Sequence, residues 1–146
     1  MTEVTEQDKT NPAYRLGFEP GQTVLEIGHD DDTEKQLRDG VAQRTGQAML
    51  GEDQAEDTEA DVVLLWFRDS DGDLADTLVD ALGSLSDGGH IWLLTPKTGQ
   101  EGYLEPSDVA EASVTAGLAT TTTIGVTPRW SATRLVSPKA ARSNRK

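Results

Sequence analysis

The chain has no cysteine, which excludes disulfides and thiolate metal sites and makes a reducing cytosol its natural compartment; a cytoplasmic protein is expected. No apolar stretch approaches the roughly 20 residues needed to cross a bilayer, so no membrane role is expected. The first eleven residues are polar and acidic, unlike a secretory signal. There are only two histidines, His29 and His90, and they fall at opposite ends of the predicted strands, so no metal site is assigned to them. No serine stands in a G-x-S-x-G elbow, which leaves nucleophile catalysis without support, and no catalytic residue is assigned. Positive charge is scarce: residues 1–105 hold 24 acids against 7 bases, whereas residues 106–146 hold 2 acids against 6 bases.

That imbalance bounds the partners. A body with this much negative charge repels nucleic acid and anionic membranes. The basic end (Arg129, Arg134, Lys139, Arg142, Arg145, Lys146) reads either as a contact for an acidic partner or RNA, or as a solvated, frayed terminus. Adaptation to salt is a third reading of an acid-rich, lysine-poor body. A protein partner of unknown identity is expected, with nucleic acid reached only through the basic tail.

The 146 residues suit one domain with a real core. Residues 1–12 read as a disordered tail, 13–138 as the folded domain and 139–146 as a basic tail. Within the domain, Ala13 to Leu16 is a short helical piece, and Pro20-Gly21 a turn before a strand at Gln22 to Ile27. Thr33-Glu34-Lys35-Gln36 has the form of a capping box, so Asp32 or Thr33 is expected to cap a helix to about Arg44, with Leu37 and Val41 on its apolar face and Gly46 as its stop. Gln47 to Leu50 is a weak second strand, and Gly51 to Glu59 an acidic loop. Asp61 to Phe67 is a continuous apolar run, the signature of a strand buried on both faces. Asp71 or Asp73 caps a helix to about Leu85, with Leu74, Leu78, Leu82 and Leu85 on one face. Ser86 to Gly89 is a turn, His90 to Thr95 a buried strand, and Pro106 starts a helix to about Ala116. Leu118 to Val126 and Trp130 to Val136 form a terminal hairpin. Strands alternating with helices predict right-handed βαβ units. The expected fold class is α/β: a reduced Rossmann-like, mostly parallel sheet with a C-terminal antiparallel hairpin.

The order of elements from Gly17 to Val136 resembles a class I, S-adenosylmethionine-dependent methyltransferase. Val24-Leu25-Glu26-Ile27-Gly28 is similar to that family's first motif, Ala60 to Leu65 to its fourth strand, and Leu85 to Pro96 to its L-x-x-G-G turn and fifth strand. The chain also resembles a small uncharacterised family of actinobacterial proteins with a domain of unknown function. That likeness rests on Asp61 to Asp76, Gly88 to Pro96 and Arg129 to Lys139. The methyltransferase motif runs acid-x-Gly-x-Gly-x-Gly; here only Gly28 remains, and Asp30 and Asp32 stand where the next two glycines fall. The resemblance implies that those glycines let the backbone approach the cofactor closely. Aspartates there add bulk, and beside a ligand carboxylate a like-charge pair 4 Å apart costs about 4 kcal/mol at an effective dielectric of 20. Nor is there room between Leu50 and Asp61 for another crossover, which needs a dozen or more residues.

Two outcomes follow for a cofactor. A non-catalytic domain on a degenerate scaffold holds none. A minimal methyltransferase would use Gly28, the Arg68 to Asp73 loop and an acid, Glu52 or Asp53, at the ribose position that the resemblance implies, to hold S-adenosylmethionine. The candidate cleft gathers Glu26, His29, Asp30, Asp31, Asp32, Trp66 and Arg68, with Arg68 expected to face the aspartates and close the cleft with a salt link. His29 reads as a proton carrier or as a surface residue of an acidic turn. A third reading is a small-ligand or divalent-ion site at residues 30–32. The Asp69 to Asp73 loop lacks the spacing of a calcium hand and reads as a capping loop.

Overall fold

The computed structural model describes residues 12–137; residues 1–11 and 138–146 lie outside the described residues, and with them both expected tails except Pro12, which opens a helix. The element order is α1 (Pro12–Arg15), β1 (Val24–Ile27), α2 (Lys35–Thr45), β2 (Ala60–Trp66), α3 (Leu74–Leu82), β3 (Leu85–Pro96), α4 (Pro106–Thr115), β4 (Ala119–Gly125) and β5 (Trp130–Val136). Short 3-10 turns at Glu52–Asp57 and Asp69–Asp71 follow the first helix pair and β2.

The five strands form one sheet in the order β1-β2-β3-β5-β4. β1, β2 and β3 pair in parallel, and β5 inserts antiparallel between β3 and β4. Four strands thus share one direction, and β5 alone opposes them. Alternation along β2 explains why its sequence is apolar throughout. Val62, Leu64 and Trp66 face α1 and α2 with Phe18, Leu37 and Val41. Val63 and Leu65 face α3 and α4 with Leu74, Leu78 and Val109. A strand covered on both faces has no position for a polar side chain. Among the described residues no helix is long and apolar enough to cross a membrane.

Four local expectations are corrected. Gln47 to Leu50 does not form a strand; it contributes one parallel bridge, Leu25 to Leu50, in which Glu26 N donates to Leu50 O at 2.8 Å and Leu50 N to Val24 O at 2.9 Å. The capping box does not form, and Glu34 takes the N-cap position of α2 without a side-chain bond. Thr33 instead donates its hydroxyl to Asp30 O at 2.8 Å, and Asp32 is drawn away by a long-range partner. α3 ends at Leu82, because Leu85 is already paired with Ala60 in β3. Ser86 to Gly89 is a bulge within β3 where the register slips between Ala60 and Val62, with Gly88 at φ 81. The Gly51 to Glu59 loop holds the first 3-10 turn. Elsewhere the local readings agree: Asp73 caps α3 by accepting from Asp76 N at 3.1 Å, and Gly46 ends α2 in the left-handed region.

His90 lies in β3, opposite Val62 of β2. Burial, reinforced by the charge of Arg134, pushes its pKa down to about 4, and its ring meets the edge of Trp92.

Gly28, just past β1, is fixed by packing. Its φ is 83, and a Cβ there would lie 2.1 Å from the carbonyl oxygen of Trp66. Gly117 has the same φ and nothing within 4 Å. Gly117→Ala is therefore expected to cost about 1 kcal/mol of unfolding free energy, the strain of the left-handed backbone alone. Gly28→Ala should cost about 3 kcal/mol or more, because β1 and β2 must also part. Urea denaturation of the two variants measures the difference; equal costs would remove the packing role of Gly28.

Candidate functional site

In an open α/β sheet, ligands sit outside the carboxyl ends of the parallel strands. Here those ends deliver Gly28 and His29 from β1, Phe67 and Arg68 from β2 and Pro96 from β3, and Trp130 enters from the start of β5. Arg68 occupies the centre. Its Nε donates to Asp32 Oδ2 at 2.9 Å and its Nη2 to Asp32 Oδ1 at 2.5 Å, a two-pronged pair. Its Nη1 donates to Gly28 O at 2.8 Å and to Asp71 Oδ2 at 3.1 Å. The Arg68 backbone N–H also reaches Asp71 Oδ2, at 2.9 Å. The guanidinium carbon lies 5.3 Å from the centre of the Trp130 ring, and that ring stands edge-on to Trp66 at 4.9 Å. One cation thus ties together the exits of β1 and β2, the loop after β2 and the start of β5.

Burial weighs against the charge of Arg68, but the hydrogen bonds to Asp32 and Asp71 outweigh it and hold its pKa above the ordinary arginine value. The Arg68 hydrogen bonds hold the Asp32 carboxyl below the usual range, against the opposing effect of partial burial. Such two-pronged, charge-assisted bonds are among the strongest that side chains make.

The other expected residues are placed as follows. Glu26, the acid of the first motif, is buried and fully engaged. Arg38 donates to both of its oxygens, at 2.6 and 2.7 Å, and Trp66 Nε1 donates to Oε2 at 2.9 Å. That pairing raises the Arg38 pKa. Glu52 accepts from Gly28 N at 3.0 Å, capping the loop with a side-chain carboxylate, while Asp53 is exposed. His29 is exposed, and its Nδ1 lies 2.8 Å from Thr33 Oγ1. The Thr33 proton is committed to Asp30 O, so Nδ1–H of His29 is the donor. Asp30 turns back to accept from Asp31 N at 2.8 Å, and Asp31 is exposed. Asp30 and Asp32 therefore point to different partners. Among the described residues no three His, Asp or Glu side chains group as a metal site.

The Arg68 fork and Asp71 divide the crevice. On the Gly28 side is a cavity of about 290 Å³ bounded by Gly28, Glu52, Trp66 and Thr77; on the Trp130 side is one of about 420 Å³ bounded by Asp32, Gly102, Arg129 and Trp130. Asp30, Arg68 and Asp71 wall both.

Arg38, Arg129 and Trp130 were not anticipated as site residues. Arg129 donates to Glu34 Oε1 at 3.2 Å and, with Trp130 Nε1, to Asp32 O at 3.4 and 3.2 Å. The adjacent Arg129-Trp130 pair opening a strand was the available signal. Arg38, next to the core residue Leu37, carried none.

Comparison with known proteins fits this geometry. Residues 13–139 match the family described as "Protein of unknown function (DUF3052)". The chain belongs to that family. It is 45% identical over 144 residues to "Uncharacterized protein Rv2239c" of Mycobacterium tuberculosis and to "Uncharacterized protein Mb2263c" of Mycobacterium bovis, covering 99% of this chain and 89% of each relative. Among solved structures it is similar to the glycopeptide N-methyltransferase MtfA complexed with sinefungin, with TM-score 0.59 and 12% identity over 94% of this chain and 95% of that one. It is also similar to the dimethyltransferase RosA of Streptomyces davawensis, with TM-score 0.60 and 11% identity over 90% of this chain and 55% of that one. At such identity the likeness shows the fold: Rossmann-like and methyltransferase-like, as the sequence resemblance implied.

Removing one member of a buried ion pair costs about 3–5 kcal/mol, and less where the partners are partly in water. Asp32 and Asp71 are 47% and 35% exposed, so Arg68→Met should cost about 2 kcal/mol. Asp32 has a depressed pKa, so its contribution is complete above the usual carboxylate range and is lost as pH falls through and below about 4. Urea denaturation at several pH values should therefore show stability falling more steeply on acidification in the wild type than in Asp32→Asn. Parallel curves would deny the pair its role.

Proposed function

We propose that this protein is a non-catalytic cytoplasmic domain that contacts another protein in a regulatory role, on a methyltransferase-like scaffold that no longer holds S-adenosylmethionine. One observation carries the reading: the Arg68 fork, held by Asp32, Asp71 and the carbonyl of Gly28, stands in the crevice where a ligand of this fold would lie. A cofactor spanning the crevice would have to displace several charge-assisted bonds at once. The cavity beside Gly28, about 290 Å³, sits at the lower limit of ordinary ligand pockets of ~300–1,000 Å³. The acidic body supports a protein rather than a nucleic-acid partner.

The rival is a minimal methyltransferase. It draws on the same cavity, where Gly28 and Glu52 are together, the latter already reaching the glycine loop. Calorimetric titration with S-adenosylmethionine separates the two. The non-catalytic reading expects no heat of binding with Kd tighter than about 1 mM; a Kd of about 10 μM or below would replace it with the enzyme.

A further inference from the structure

A further cavity lies beyond the Arg68 fork. It is a groove of about 550 Å³ between the amino end of α4, the loop after β3 and the paired strands β5 and β4. Its volume falls within the ordinary range for small-ligand sites, ~300–1,000 Å³. We propose that this groove binds a small organic anion, a carboxylate or phosphate monoester on a compact apolar body.

The floor is built by strand register. Thr95 of β3 lies opposite Ser131 of β5, and Thr133 lies opposite Thr123 of β4. These pairs put four hydroxyls on one face of three neighbouring strands. Thr95 and Thr133 are buried, and Thr133 exchanges a 3.3 Å hydrogen bond with Thr123. Beside this polar floor, Leu104 and Val109 supply a nearly buried apolar wall. A surface that joins apolar area with convergent hydroxyls orients a ligand as well as burying it.

The charge of the groove sets the ligand class. In a chain with 26 carboxylates, no acid lines it, and Lys97 is its single charged residue. Among the described residues Lys97 makes no ion pair. Its position is provided for: the ammonium lies over Gly125 at the end of β4, where a Cβ would come within 3.1 Å of Nζ. The backbone of Gly125 has an ordinary φ, so space rather than conformation explains the missing side chain. An ammonium without an ion-pair partner, in one groove with four hydroxyls and no carboxylate in the lining, attracts an anion and repels a cation.

The test is an amide NMR titration of the full chain with phenyl phosphate, benzoate and, as a neutral control, benzyl alcohol. The expected result is a saturable shift with at least one of the two anions, confined to residues 95, 97, 98, 123 and 131–133. Whichever anion binds more tightly distinguishes phosphate from carboxylate. Lys97→Gln, a substitution outside the core, should weaken that binding by about tenfold or more while the rest of the spectrum is retained. Thr133→Val should weaken it without touching the charge. No saturable shift up to about 20 mM with either anion, equal binding of benzyl alcohol, or unchanged affinity in Lys97→Gln would each overturn the proposal. The S-adenosylmethionine titration reads the cavity beside Gly28, whose lining shares no residue with this groove, so either reading can fail alone.

Discussion

Arg68 has five donor protons on a planar fork, and almost all of the crevice geometry follows from where they go. Two meet the carboxylate of Asp32, and others reach the carbonyl of Gly28 and the carboxylate of Asp71. The fork can serve these groups together only if the loop after β1 folds over the end of β2. Asp32 is thereby removed from the start of α2, which begins without a side-chain cap. The loop after β3 closes on the same residue: Gly102 sits against the Arg68 stem, where a Cβ would come within 2.9 Å, and its carbonyl accepts from Asp69 N at 2.9 Å. Trp130 covers the guanidinium from β5 and donates to the carbonyl of Asp32.

The aspartate loop reads from sequence as a source of negative potential against any acidic ligand. In the structure Asp32, the acid nearest the centre, is matched by Arg68, and Arg129 reaches both its backbone carbonyl and Glu34. The Arg68 fork therefore acts on this crevice more by occupying space than by repulsion. The same holds for the first-motif acid. Glu26 has both oxygens committed to Arg38 and one also to Trp66, so it serves the packing of α2 on β1. Gly28 keeps its place in the motif for a reason internal to the sheet, the approach of the Trp66 carbonyl.

The sheet was legible because its strands are buried on both faces, and burial on both faces writes an unbroken apolar run, as in Val62 to Phe67 and Ile91 to Leu94. The facing of Arg68 toward the aspartates was legible too, since β1 and β2 are parallel neighbours and their exits must meet. Features set by long-range competition were not. The Thr33 capping box is a valid local pattern that lost its hydroxyl to Asp30 and its neighbouring acid to Arg68. The Gln47 to Leu50 segment pairs only at Leu50, and no rule of periodicity marks where a strand shrinks to one bridge. The groove under Lys97 arises from register between β3, β5 and β4, which single residues such as Thr95 and Ser131 do not announce.

If the Arg68 fork is the keystone, Arg68 and Asp32 must be energetically coupled. A double-mutant cycle on urea stability at neutral pH, with Arg68→Met, Asp32→Asn and the pair together, measures that coupling directly. Residues sharing an ion-pair network couple by about 0.5–3 kcal/mol, and a two-pronged pair places this one at about 1–2 kcal/mol. Additive effects within about 0.3 kcal/mol would mean that the two side chains do not act on each other, and the account of a crevice closed by their bond would be wrong.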